Sequence, residues 1–399
     1  MNKTRILFVC ENWTWGGMER VVATVAEAMA SDMERFDVSV LVAQVVPDGH
    51  AMSRDEGPGI QGVTIHYIQR DLPRSLIMPV ALMIRRLRPT VLILNLSLFA
   101  VPPIYVGLRV SMLRFVTIMV HHNAFSLESV GIRHHRLNRF LIDEAVGRAW
   151  KHVAVSEALR QAVLDAWPKL NPKMVRTIYN PIHVRRIRQE AGNQVPTEYS
   201  ESMGRVLCMV ARLSPQKDFD TLLLAFSQLR LTTESSLFLV GDGPEREHIS
   251  ALARNLGCSE RVHILGWRSN PFPYMKFADL VLLVSHQEGF PMVLPEAMAC
   301  GVPVIASDCP FGPREILQNG RCGVLVPMHD PGALEASMRR VLDDVLRTST
   351  LVADAERRVM DFDWETSTQQ YARLAEEASQ FLGQRFPWYG RARRHHRSK

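Results

Sequence analysis

At 399 residues the chain is too long for one ordinary core at about 150 residues per domain, and its 47% apolar and 22% charged residues exclude a disordered polymer. Six scattered cysteines without a CxxC spacing exclude a disulfide frame or a cysteine zinc site, as expected of a reduced, cytosolic chain. The net charge of +6 is local: residues 385–399, RFPWYGRARRHHRSK, hold six Lys or Arg and no acid, and the remaining chain balances at 41 against 41.

In chain order, MNKTRILFVCENW has only a five-residue apolar run, short of a signal peptide's core, so no secretion signal is expected. Residues 5–10 predict a strand. A loop with Gly16 and Gly17 follows, then a helix in ERVVATVAEAMAS with Val21, Val22, Val25, Ala26 and Met29 on one face. DVSVLVA predicts the strand that completes a βαβ unit, and the alternation continues through TVLILN, RFVTIMVHHN and HVAVS. Residues 1–186 therefore read as an open α/β domain.

The run Pro89–Leu108 holds twenty residues without a charge, long enough to cross a bilayer. Pro102-Pro103 and Asn95 interrupt it, and VLILN has the continuous apolar character of a buried parallel strand, so a strand followed by a helix is expected. Residues 70–148 contain eleven Arg, no Lys and four acids. With the aromatic basic tail at 385–399, this predicts contact with an anionic lipid surface rather than with nucleic acid.

The pattern lapses into a polar stretch at 187–204, IRQEAGNQVPTEYSESMG, the expected linker. A second α/β domain is predicted over 205–362, from GRVLCMVAR through SLFLVGDG, VHILG, ADLVLLVS and VPVIAS. Asp363 then caps a helix over 363–384 that returns toward the first domain. Two open parallel sheets in tandem place a ligand cleft at the carboxyl ends of their strands.

Strand ends of the second domain open into VARLSPQK with Arg212 and Lys217, VGDGPE with Gly241, Asp242 and Gly243, and HQEGFPMVLPEAMACGVPVIASD with Glu288 and Glu296. A helix beginning after Pro291 aims first-turn N–H groups at the same rim, which with two cations suits a diphosphate. A carboxylate accepts hydrogen bonds from a vicinal diol, at about 1.5 to 3 kcal/mol for each charge-assisted bond. One diol on either side of a diphosphate describes a nucleotide sugar. A glycosidase using Glu288 and Glu296 as acid and nucleophile is the rival, and it leaves Arg212 and Lys217 unexplained.

These strings resemble family 4 of the glycosyltransferases, retaining enzymes of the GT-B fold. EGFPMVLPEAMACGVPVIASD is similar to its E-x7-E signature, and VARLSPQKDFDTLLLAF, LVGDGPE, VHILGW, IYNPI and GGMERVV are similar to other blocks of the family. CPFGPREIL resembles a subset that builds bacterial surface polysaccharides and lipid-linked oligosaccharides. The resemblance implies two Rossmann-like domains facing a central cleft. It implies that Arg212 and Lys217 meet the donor phosphates, Glu288 the transferred sugar and Glu296 the ribose.

Main-chain N–H groups over Gly289, Phe290, Met292, Val293 and Leu294 would meet sugar and diphosphate, with Gly241 and Gly243 nearby. Gly16 and Gly17 would let the N-terminal loop approach the same phosphates, or serve only as turn and cap. A histidine after an N-domain strand lies near the transferred sugar in this family; His122 fits, with His121 as runner-up. The implied activity is retaining transfer from a UDP-sugar to a glycan or polyprenyl-diphosphate-linked acceptor, on the cytoplasmic face of a membrane, without metal or cofactor. A sugar-nucleotide epimerase and a non-catalytic polyanion binder remain alternatives.

Overall fold

The computed structural model describes residues 3–13, 16–45, 59–70, 72–98, 100–123, 136–192, 195–200 and 203–385. The tail from 386 lies outside the described residues. Two compact units are formed, one running to Pro181 and resuming at Trp364, the other spanning Ile182–Asp363.

The first unit comprises β1 (Thr4–Cys10), α1 (Gly17–Ser31), β2 (Phe36–Val45), β3 (Thr64–Arg70), α2 (Ile77–Leu87), β4 (Val91–Asn95), α3 (Val101–Val110), β5 (Val116–His121), α4 (Arg136–Arg148), β6 (Lys151–Ala154), α5 (Glu157–Ala166) and β7 (Val175–Thr177). Its strands pair in parallel in the order β3-β2-β1-β4-β5-β6-β7. All five residues of β4 are buried, as an inner strand covered on both faces requires. Pro89–Leu108 is indeed a strand followed by a helix, and no helix among the described residues is long and apolar enough to cross a membrane. The edge strands β3 and β7 were not predicted. TIHYIQR is half-buried and polar, and VRT is only three residues long.

The second unit comprises α6 (Val184–Ala191), β8 (Arg205–Val210), α7 (Phe219–Leu229), β9 (Ser235–Val240), α8 (Arg246–Asn255), β10 (Val262–Gly266), α9 (Phe272–Lys276), β11 (Leu280–Leu283), α10 (Val293–Ala299), β12 (Val304–Ser307), α11 (Gly312–Ile316), β13 (Val324–Val326), α12 (Pro331–Asp343) and α13 (Val345–Arg358). The strands are again parallel, in the order β10-β9-β8-β11-β12-β13. Phe226 and Leu222 of α7 are fully buried with Leu207, Leu239 and Leu282 of the sheet, each large side chain contributing about 1.5 to 3 kcal/mol.

The linker expected from 187 begins instead as α6. Val184, Ile187 and Ala191 form its buried stripe, hidden in the sequence among three arginines and a glutamate. The first N–H of this helix donates to Asp363 Oδ1 at 3.3 Å.

The last helix, α14 (Trp364–Arg385), belongs to the first unit. Tyr371, Leu374 and Ala378 are buried there, and Phe381 tilts against Trp150 at 5.7 Å. Arg35 pairs with Glu376 at 2.6 Å and Arg176 with Glu377 at 2.9 Å.

Candidate functional site

In the second sheet the strand order reverses between β8 and β11, so the loops leaving these neighbours run to opposite faces and part at the carboxyl edge. Lys217 lies at the end of the first loop and Glu288 in the second. Lys217 Nζ donates to Glu288 Oε1, and both side chains are mostly buried, at 14% and 10% exposure. Main-chain bonds hold the loops together: Asp218 N to the Val284 carbonyl at 3.2 Å and His286 N to the Gln216 carbonyl at 3.0 Å. Two formal charges out of water need such fixed geometry for their attraction to offset desolvation.

Arg212 is exposed, and its guanidinium makes no hydrogen bond or ion pair among the described residues. Gly241 and Gly243 are glycines because the neighbouring loop needs their space. A Cβ on Gly241 would overlap the Ala211 carbonyl, and one on Gly243 the Leu213 carbonyl. The same two loops are joined by Leu213 N to the Asp242 carbonyl and Glu245 N to the Leu213 carbonyl, both at 3.0 Å.

Glu296 is buried in the first turn of α10. The Leu294 N–H, expected to be open to a ligand, donates to the Pro291 carbonyl at 3.1 Å, because the chain tightens into a turn before the helix. The Phe290 ring packs edge-on against Phe362 at 5.2 Å, with Met292 also buried. Residues 309–312 hold this loop from behind: Glu288 and Phe311 form an isolated bridge, and a Cβ on Gly312 would lie 2.6 Å from Pro291 Cδ. Burial, with Glu288 nearby, pushes the Cys309 thiol up to about 12; burial, with Glu296 nearby, does the same to Cys300. Both thiols are therefore unreactive at neutral pH.

The first sheet reverses between β1 and β4. Ser97 Oγ donates to Glu11 Oε2 at 2.6 Å across that point. His122, just past β5, places Nε2 2.9 Å from Asn95 Oδ1. Asn95 Nδ2 donates to the Ile93 carbonyl at 3.3 Å, which turns Oδ1 toward the imidazole and makes His122 Nε2 the protonated nitrogen. Burial lowers His122 to about 4, so the ring is neutral at pH 7 with Nδ1 as acceptor.

His121, the last residue of β5, is enclosed: it stacks on His152 with Nε2···Nδ1 at 3.0 Å and leans on Trp167. Gly16 is the N-cap of α1 and Gly17 its first residue. Glu19, on that first turn, is 6% exposed, and burial raises it to about 7. Asn95, Ser97 and Glu19 carried no spacing signal in the sequence; only the order of the strands brings the first two beside His122 and Glu11.

Among solved structures, Anabaena Alr3699/HepE in complex with UDP superposes with a TM-score of 0.73 at 21% identity, covering 94% of this chain and all of that one. A likeness of this extent shows the fold, two Rossmann-like parallel-sheet domains of the GT-B type. Residues 15–186 match the family described as Glycosyltransferase Family 4, and residues 195–358 the one described as Glycosyl transferases group 1. The chain belongs to these GT-B glycosyltransferases, with a family 4 N-terminal domain and a group 1 C-terminal domain.

Among curated relatives, an N-acetylgalactosamine-N,N'-diacetylbacillosaminyl-diphospho-undecaprenol 4-alpha-N-acetylgalactosaminyltransferase of Campylobacter jejuni is 25% identical over 87% of this chain and 93% of its own length. A lipopolysaccharide 1,6-galactosyltransferase of Salmonella typhimurium is 31% identical over 48% of this chain, which spans about half (51%) of that relative.

Proposed function

We propose that the chain is a retaining glycosyltransferase that moves a hexose or N-acetylhexosamine from a UDP-sugar to a glycan or polyprenyl-diphosphate-linked saccharide during surface-glycan assembly. The observation that carries this proposal is the Lys217–Glu288 pair at the reversal point of the second sheet. A cation held there by a carboxylate, with Arg212 exposed on the same loop, is suited to the charge that builds on a departing diphosphate. Glu288 takes hydroxyls of the transferred sugar and Glu296 the ribose diol. The main-chain N–H groups of Met292 and Val293 and the backbone at Gly17 meet phosphate oxygens, and His122 offers a neutral imidazole to the sugar.

Charge stabilisation by Lys217, Arg212 and N–H groups needs no metal for the chemical step. Glu288 is occupied by its contact with the Lys217 ammonium, an arrangement unsuited to the proton donor of a glycosidase. Retention follows from a same-face reaction in which the leaving phosphate helps to deprotonate the acceptor hydroxyl. The names of the Campylobacter and Salmonella relatives support a lipid-linked or lipopolysaccharide acceptor, and the HepE complex supports uridine.

Peripheral attachment to the cytoplasmic face of a membrane is part of the proposal. On α2, Met78 and Leu82 are more than half exposed beside Arg85 and Arg86. Apolar tips with basic neighbours suit an anionic interface. Flotation with anionic vesicles tests attachment, and an unchanged bound fraction for M78S/L82S at low salt counts against it.

The decisive assay is release of free nucleoside diphosphate from UDP-, GDP- and ADP-sugars in EDTA, with and without bacterial lipid extract. Release from one UDP-sugar that rises with extract is expected. E288Q is expected to retain nucleotide binding and lose transfer; wild-type turnover in that variant would remove Glu288 from the mechanism.

A further inference from the structure

Beside the Lys217–Glu288 pair, three more side chains converge from three different loops of the second unit. Asp218 follows β8, His286 follows β11 and His329 follows β13. Asp218 Oδ2 lies 3.1 Å from His329 Nδ1 and 3.8 Å from His286 Nδ1, and one atom from each residue falls within 4.8 Å of the other two. The imidazoles stack at 4.9 Å between centroids. Asp218 is buried, whereas His286 and His329 are 43% and 63% exposed, so a solute reaches the nitrogens from solvent while the carboxylate is fixed behind them.

We propose that Asp218, His286 and His329 form a binding site for a divalent transition metal of the zinc class. Zinc sits about 2.0 to 2.2 Å from imidazole nitrogen and carboxylate oxygen, so a tetrahedral ion needs its ligand atoms about 3.3 Å apart. One of the two carboxylate-to-imidazole distances already meets this, and a rotation of the exposed His286 ring supplies the other.

The carboxylate is oriented as metal-bound carboxylates are, by outer hydrogen bonds: Thr221 N donates to Oδ1 at 3.1 Å and Thr221 Oγ1 to Oδ2 at 2.7 Å. His329 is set by its own backbone, at a φ of +57°, and by Asp330, which caps α12 through Ala333 N at 2.8 Å. Two nitrogens among three ligands select zinc, cobalt or nickel over magnesium, which requires oxygen.

The ion occupies a place next to the proposed donor residues and is not assigned any part in the transfer step. Its effect is to tie the loop of Lys217 to the loop of Glu288 and both to the start of α12.

The test uses the full, untagged chain, its melting temperature with zinc or magnesium, and cobalt absorption as a direct titration. Wild type should bind one cobalt ion with a visible spectrum, and zinc should raise its melting temperature while magnesium does not. H286N and H329N, melting as wild type without metal because both positions are solvent-facing, should each bind at least about tenfold more weakly. His395 and His396 remain in every protein, so binding by that sequence pair would register equally in all three. Equal affinity in wild type and both variants, or no saturable zinc binding by wild type, overturns the site and leaves Asp218 as a hydrogen-bonded helix cap. Neither readout depends on sugar transfer, so failure here is separate from failure of the proposed reaction.

Discussion

Apart from the extra edge strand β7 of the first, the two units share one strand order, reversing between β1 and β4 in the first and between β8 and β11 in the second, yet they equip that point with opposite chemistry. The second holds a formal ion pair, Lys217 with Glu288. The first holds a hydrogen bond from Ser97 to Glu11 and, beside it, a histidine that burial keeps neutral, with a carboxyl at Glu19 raised to about 7. Topology supplies the crevice, and the residues at its lip decide whether it is suited to a charged group or to hydroxyls.

Removing one member of the ion pair should have the largest effect. K217M strands a buried carboxylate and is expected to cost about 3 kcal/mol or more in denaturant unfolding, with transfer reduced about 10² to 10³ fold. The double variant K217M/E288Q should recover most of the stability and none of the activity. If K217M unfolds like wild type, the charged half of the contrast is wrong.

Next comes G241A, expected to lose about 2 to 3 kcal/mol as the Ala211 carbonyl is forced away, seen as a lower melting temperature. Unchanged melting would show that the loops after β8 and β9 have slack.

Glu19 sharpens the neutral half. Its carboxyl is raised from 4.5 to about 7, so between those values the folded chain binds more protons than the unfolded one, and stability falls as pH rises. E19Q removes that loss. Its stability relative to wild type should grow by up to about 3 kcal/mol from pH 4.5 to above pH 7, measured by denaturant titration across that range. A difference that does not vary with pH would mean Glu19 is ionised in the folded chain.

The smallest effect belongs to R35Q. Arg35 and Glu376 are 49% and 37% exposed, so their pair should contribute less than about 1 kcal/mol, and that contribution should vanish at high salt.

Much of this contrast was legible in the sequence and part of it was not. Inner strands such as VLILN and SSLFLV announce themselves because both faces are buried. The edges β3, β7 and β13 do not, being short or half-exposed. Lys217 and Glu288 could each be picked from their motifs, but their pairing follows only from β8 lying next to β11. Asn95 and His122 are likewise joined by strand order, and Asp218, His286 and His329 lie too far apart in the chain for any spacing rule. The GDG loop shows another limit: the packing of Gly241 and Gly243 against the Ala211 and Leu213 carbonyls has no signal in the sequence, because it depends on β9 lying beside β8.

That α14 closes the first unit while lying at the far end of the described chain bears on how the protein is made. On the ribosome the residues of the first sheet emerge early, but the helix that packs against α1 emerges only after the whole second unit. The second unit has all its elements in one continuous stretch and can fold first, while the first waits with an apolar face uncovered. A chain stalled or cleaved before Trp364 would lack the buried Tyr371, Leu374 and Ala378, making the newborn N-terminal unit a natural client for chaperones and proteases.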